Sequence, residues 1–292
     1  YISVTGVQTC ALPICGGMAR RLLGLGWQVH VRDIDERKTT ELQSLGATVQ
    51  TSPAALAAAV DRLIVCVIDT PQVESVLFGP DGVSQSLRAG HTVMLCPTLS
   101  PEDIESFGQR LVALGAQVID APMSGGPQRA AEGTMSLMVA TPAPVFEAHR
   151  DWLDALSGLV FNVSERVGDG ARTKLANNML AGINLVGAAQ VLAMAQRMGL
   201  NPSTTLDVME RSSGQSWISS DRLRRALVND YAPRAHVTLL EKDTRLAVEA
   251  GDSVGFTPEL GRLAAAVFAQ AHQAGLAGED DASVFKLYTL QS

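Results

Sequence analysis

GGMARRLLGLGWQVHVRDID, residues 16–35, carries the reading from which the fold follows. Two glycines lead into a helical pattern over residues 19–25. Residues 27–32 then alternate as a strand does and run into the acids Asp33 and Asp35. Working outward, further apolar runs at 63–68, 92–96, 117–120 and 135–140 read as strands. Helical patterns fill the intervals at 36–45, 53–59, 73–77, 101–114 and 144–156. Strands alternating with helices are the signature of parallel βαβ units, whose crossovers cover both faces of one sheet. An α/β domain with a doubly wound sheet is therefore expected over residues 1–163.

The pattern changes near Val163, after which no further strand is expected. Residues 170–198 form a near-continuous helix, apolar on most sides through Leu175, Met179, Leu180, Ile183, Leu185, Val186, Val191, Leu192 and Met194. A helix apolar all round is expected to be buried all round. Its length, about 40 Å at the usual rise, suits a helix that bridges two domains or threads a dimer. Helical patterns continue at 203–211, 220–228, 237–250, 257–274 and 283–288, so residues 164–292 are expected to be all-helical.

Bulk composition narrows the function classes. Of the 292 residues, 46% are hydrophobic and 18% charged, and the net charge is −7. With no basic footprint, nucleic acid is not an expected partner. Polar residues break the apolar stretches, so no membrane span is expected, and no basic segment precedes an apolar run to form a secretory signal. A cytoplasmic location follows as the expectation. Cys10, Cys15, Cys66 and Cys96 lack the clustering of a zinc site, so no metal is expected and the four are read as unpaired thiols.

In a Rossmann unit the first turn meets a pyrophosphate at a helix N-terminus, and an acid ending the second strand holds the adenosine ribose. Asp33 stands where that acid belongs, and Ile34 follows it where an Arg would receive a 2′-phosphate. That favours NAD over NADP. The bland alternative is a solvated acid in a strand-end turn. Farther on, Lys174 and Asn178 are one helical turn apart and share a face. A Lys in an apolar helix must be paired, solvated in a cleft or shifted in pKa. Spacing alone equally allows a snorkelling Lys with a structural Asn. Ser124-Gly125-Gly126 follows a strand ending in Asp120; such a turn either presents backbone N–H groups and a hydroxyl to an anion or is a plain turn.

Four blocks, Gly79-Pro80-Asp81-Gly82, residues 120–126 (DAPMSGG), residues 168–178 (GDGARTKLANN) and Lys242-Asp243, occur in an order and spacing that resemble the β-hydroxyacid dehydrogenase family. The resemblance covers roughly residues 16–290. It implies a 6-phosphogluconate dehydrogenase-like fold: a Rossmann-type domain, an all-α domain, and a site in the cleft between them. It implies Lys174 as general acid/base, Ser124, Gly125 and Gly126 at the substrate carboxylate, and Asn178 at the substrate, with Asn177 a less certain neighbour. It places Thr98 and Lys242 at the cofactor, although Pro97 stands where the family carries Ser. The implied reaction is hydride transfer between NAD and a small 3-hydroxyisobutyrate- or threonate-like acid, in a homodimer or homotetramer. The stretch 67–78 resembles the threonate side of the family. Trp217 either lines the pocket or is an ordinary core residue.

One segment departs from the family. Aligning Met18-Ala19 puts Cys10, Leu12 and Cys15 on the three glycines of the G-x-G-x-x-G turn, and Pro13 removes an N–H donor. Residues 1–14 resemble translated sequencing-library adapter and are read as foreign, the alternative being a divergent native loop. Ile2 and Val4 nonetheless have strand character, so the first strand slot is expected to be filled. Two rivals remain: an NADPH-dependent semialdehyde or imine reductase of the same fold, and a silent dimerising nucleotide-fold protein. Lys174 weighs against imine reductases, which usually lack it; the missing glycines favour the silent protein.

Overall fold

The computed structural model describes residues 4–9 and 13–289. The chain divides into two compact units, Tyr1–Lys174 and Leu175–Ser292. The first is organised on one sheet. Its parallel part comprises β1 (Val4–Thr9), β2 (Gln28–Arg32), β3 (Thr48–Val49), β4 (Arg62–Cys66), β5 (Thr92–Leu95) and β6 (Gln117–Asp120), in the order β3-β2-β1-β4-β5-β6. The expected first strand is present: Gly6 pairs with His30 on one side and Leu63 on the other. Ile2 lies outside the described residues.

The helices between these strands start where the sequence supplies caps. They are α1 (Pro13–Gly24), α2 (Glu36–Ser44), α3 (Pro53–Ala59), α4 (Thr70–Phe78) and α5 (Pro101–Ala113). Asp35, Ser52, Asp69 and Ser100 each accept a backbone N–H in the first turn of α2 to α5, and proline opens α3, α4 and α5. In α1, Cys15, Met18, Ala19 and Leu22 are fully buried at helical spacing. The central strands feed two cores. Leu63, Val65, Val93 and Leu95 pack in one apolar cluster, while Ile64, Cys66, Met94 and Cys96 pack in the other. Period-2 alternation through buried strands thus covers both sheet faces, at about 1.5–3 kcal/mol for each large side chain removed from water.

Beyond β6 the chain departs from the parallel pattern. β7 (Met123–Ser124) and α6 (Gly126–Glu132) lead to β8 (Ser136–Ala140), which runs antiparallel to β6, with Asp120 opposite Ala140. The short α6 turns the chain back beside β6 instead of crossing the sheet. The helix expected over 144–156 breaks at His149 into α7 (Ala143–Ala148) and α8 (Arg150–Leu156). β9 (Leu159–Ser164) then pairs parallel to β8, a strand the sequence reading lacks. Leu159 and Phe161 on β9 are exposed, which hides the usual buried-face alternation.

α9 (Asp169–Arg197) begins in the first unit and continues as the first element of the second. It is not buried all round: Leu180, Val191 and Met194 are 58%, 45% and 54% exposed. Contrary to the sequence expectation, it is long and apolar enough to cross a membrane by length and composition, with a mean hydropathy of 1.4 over an 18-residue window of which half is buried. The second unit adds α10 (Pro202–Glu210), α11 (Trp217–Leu227), α12 (Val237–Ser253), α13 (Glu259–Ala271) and α14 (Lys286–Thr289), with Leu185, Leu192, Phe268 and Phe285 in its core.

The cysteines depart from expectation. Cys15 and Cys66 form a disulfide with Cα atoms 6.3 Å apart, joining the first turn of α1 to the end of β4. Fifty-one residues of chain separate them, so spacing alone gave no hint of their proximity. Cys96 is free and buried, and burial pushes its thiol pKa up, with nearby Asp120 adding to the effect. Cys10 lies outside the described residues.

Candidate active site

The nucleotide end of the site lies along the C-terminal edge of the parallel strands, where open α/β sheets bind ligands. Asp33 directly follows β2, is 2% exposed, and its Oδ1 accepts the Asp35 N–H at 2.8 Å. Asp35 in turn caps α2 and holds Arg37 through contacts of 3.0 and 2.9 Å. The acid is therefore fixed in place, and an anchored carboxylate there fits the hydroxyl donors of a ribose. Ile34 beside it is 74% exposed. Thr98 is half-buried three residues past β5 on the same edge.

The pyrophosphate turn is described only in part. Cys10 and Leu12 lie outside the described residues; Cys15, at the third glycine position, is buried and disulfide-bonded. Gly17 presses α1 onto α6. A Cβ there would stand 2.5 Å from the Pro127 carbonyl oxygen and 2.9 Å from the Ala130 Cβ.

In the first unit, the residues expected at the substrate lie on the turn after β7 and at the start of α9. Gly125 and Gly126 have φ of 135° and 75°, conformations that L side chains rarely adopt. A Cβ on Gly125 would also crowd the Arg129 side chain and the Met135 Cα, at 3.1 and 3.2 Å. Glycine thus leaves the backbone itself, with the Ser124 hydroxyl, to define this turn. Lys174 is 7% exposed early in α9, an unusual setting for an ammonium group. Asp120, read from sequence only as the end of the strand before the Ser124 turn and part of a family block, ends β6 fully buried; its Oδ2 accepts the N–H groups of Gly168 and Ala171 at 2.8 and 3.1 Å.

In the second unit the structure brings Asn178 and Lys242 together through Asp243. The Asn178 side-chain amide donates to Asp243 Oδ2 at 2.6 Å, and Lys242 Nζ pairs with Oδ1 at 2.7 Å. Asn177 donates to the Asn178 oxygen at 3.0 Å. Asp243 lies on the buried stripe of α12 with Val237, Leu240 and Thr244. A charged residue on that stripe is the sequence signal that could have singled out Asp243, which the sequence reading names only within the Lys242-Asp243 block. Trp217 opens α11 and is 51% exposed, with Arg222 over its ring, so the core reading of this residue fails.

Comparison with known proteins decides the family. Residues 15–165 match the NAD-binding domain of 6-phosphogluconate dehydrogenase, and residues 168–288 match the NAD-binding module of NADP-dependent 3-hydroxyisobutyrate dehydrogenase. The chain is 33% identical over 272 residues to an L-threonate dehydrogenase of Cupriavidus necator, covering 93% of this chain and 92% of the relative. The chain belongs to the β-hydroxyacid dehydrogenase family. A 3-hydroxyisobutyrate dehydrogenase of Pseudomonas aeruginosa is 31% identical, covering 94% of each chain. The crystal structure of a 3-hydroxyisobutyrate dehydrogenase from Salmonella typhimurium superposes on the dehydrogenase with a TM-score of 0.90 at 31% identity, covering 97% of this chain and 99% of that one. The expected fold, a Rossmann-type domain followed by an all-helical one, is that of these relatives. The first domain match opens at residue 15, beyond the segment read as foreign.

Proposed function

We propose that this dehydrogenase oxidises a small β-hydroxy acid of the threonate or 3-hydroxyisobutyrate class, with NAD as hydride acceptor and Lys174 as general acid/base. The carrying observation is Lys174 itself, 93% buried in the one helix that also presents Asn178. A buried amine on this helix can exchange a proton with a bound hydroxyl group away from bulk water. When bound, NAD supplies the electron sink at its nicotinamide ring. Lys174 Nζ takes the hydroxyl proton as the carbinol carbon loses its hydride, and in the reverse direction it returns the proton to the carbonyl oxygen. Ser124, Gly125 and Gly126 receive the substrate carboxylate. Asn178 orients the substrate, held by Asp243, while Thr98 and Lys242 border the cofactor.

The nucleotide preference rests on Asp33. A buried acid at the ribose position repels a 2′-phosphate, Ile34 offers it no donor, and Arg37 is engaged by Asp35. The exposed Leu180, Val191 and Met194 on α9 support a homodimer or homotetramer. The net charge of −7 supports small-molecule rather than nucleic-acid partners.

The test is a steady-state assay of the purified chain on L-threonate, 3-hydroxyisobutyrate and their homologues, with NAD and NADP compared. Turnover with a higher kcat/KM for NAD is expected. Preference for NADP would contradict the Asp33 reading. Calorimetric NAD binding without turnover on any of these acids would favour the silent nucleotide-fold alternative.

A further inference from the structure

Asp120 has no place in the chemistry above, yet it is the most deeply buried acid near it. It ends β6, is 0% exposed, and lies four residues before Ser124. Its Oδ2 accepts the N–H groups of Gly168 and Ala171 at the N-terminal turn of α9, at 2.8 and 3.1 Å. Its Oδ1 is buried beside Gly170, whose N–H also favours the carboxylate charge. Two glycines permit this arrangement. Gly168 adopts φ of 101°, and a Cβ on Gly170 would lie 2.7 Å from the Met138 carbonyl oxygen and 2.9 Å from Asp120 Oδ1. The start of α9 is thus set directly on the end of β6 and the middle of β8, closer than any side chain would allow.

A Ser or Asn caps a helix at less cost than a buried carboxylate. Burial pushes the Asp120 carboxyl up to about 7 in spite of the backbone N–H groups that favour its charge. Such a charge-assisted clamp is stiff, and a residue this expensive belongs where geometry matters. Lys174 follows Ala171 by three residues, about 4.5 Å along the helix axis. The same strand that ends in Asp120 leads into the Ser124 turn. One side chain therefore ties the substrate turn to the helix that carries the proton-transfer group, all within the first unit.

We propose that Asp120 is a positioning residue: its carboxylate seats the first turn of α9 and thereby sets the height and rotation of Lys174 relative to Ser124-Gly125-Gly126. This rests on the reading of Lys174 as general acid/base.

The test uses Asp120→Asn, Gly170→Ala and Lys174→Ala in the full chain. Asp120→Asn keeps the side-chain shape and one oxygen to accept from Gly168 and Ala171, but removes the charge that strengthens both bonds and turns an NH2 group toward the Gly170 backbone. Gly170→Ala lifts the turn without touching Asp120. In both, kcat is expected to fall about tenfold or more, with KM for NAD within about twofold, Tm at pH 8 no lower for Asp120→Asn, and faster hydrogen exchange at the amides of residues 168–174. A kcat loss that merely tracks Tm, or full kcat with exchange accelerated, overturns the proposal; so does loss of folding in both variants, which would make the contact a general requirement of the fold. Unchanged exchange in both variants overturns it too. If Lys174→Ala keeps normal turnover, the Lys174 reading has failed on its own, and the exchange data still decide whether Asp120 seats the turn. If Lys174→Ala is inactive while the other two keep full kcat, the positioning role alone has failed.

Discussion

Asp33 carries the proposed nucleotide preference through its surroundings. The backbone N–H of Asp35 fixes its carboxylate at the strand edge, at 2.8 Å, so the charge cannot swing away from an incoming phosphate. Asp33→Ala is expected to lower kcat/KM for NAD at least tenfold and to move the NAD-to-NADP ratio toward NADP, as read from initial rates with each nucleotide; an unchanged ratio would contradict the assignment. Asp243 acts through two neighbours at once. Asp243→Ala leaves Lys242 and Asn178 without their shared acceptor, a loss of about 1–3 kcal/mol that should appear mainly in KM for the hydroxy acid. An unchanged KM would leave the network without a role in substrate binding. Asp33, Lys174 and Asn178 stand out as candidates in the sequence because each is polar where its local pattern is apolar or ends, while the roles proposed for Lys174 and Asn178 come from the family resemblance. Asp243 and Asp120 do not stand out, because their meaning lies in partners 65 and 48–51 residues away.

At the scale of elements, the helices of the first unit follow their caps and prolines, and the parallel strands follow their apolar runs. Both signals are local, which is why they could be read from sequence. β9 and the antiparallel course of β8 could not, since pairing direction depends on how the chain returns and exposed Leu159 and Phe161 mask the alternation. The all-round burial expected of α9 failed for a related reason: composition reports how apolar a helix is, not what covers it. The close crossing of α1 on α6 is likewise invisible without coordinates. Gly17→Ala forces a methyl group to within 2.5 Å of the Pro127 carbonyl oxygen. The variant is expected to lose about 1–3 kcal/mol of stability, measured by urea unfolding. Wild-type stability would show that the crossing is loose enough to open at no cost.

At the scale of the whole molecule, the first 14 residues are the segment read as departing from the family, although Val4–Thr9 fills the first strand slot. The domain match begins at residue 15, and the alignment on Met18-Ala19 puts Cys10, Leu12 and Cys15 at the three expected glycine positions. We expect a near-normal fold with weakened cofactor binding. Replacing these three by glycine and Pro13 by alanine, with both proteins reduced so that the Cys15–Cys66 disulfide is absent from each, should tighten NAD binding at least tenfold, about 1.4 kcal/mol, by calorimetry. Low-micromolar binding by the unaltered chain, with no gain from the glycines, would make the loop a working solution. The central claim is that an NAD-dependent oxidation is run by one buried lysine, and the most direct measurement is paired kinetics and calorimetry on Lys174→Ala. The account predicts a kcat lower by roughly 100-fold or more, with the Kd for NAD changed by less than about twofold. Near-normal turnover in that variant would contradict it.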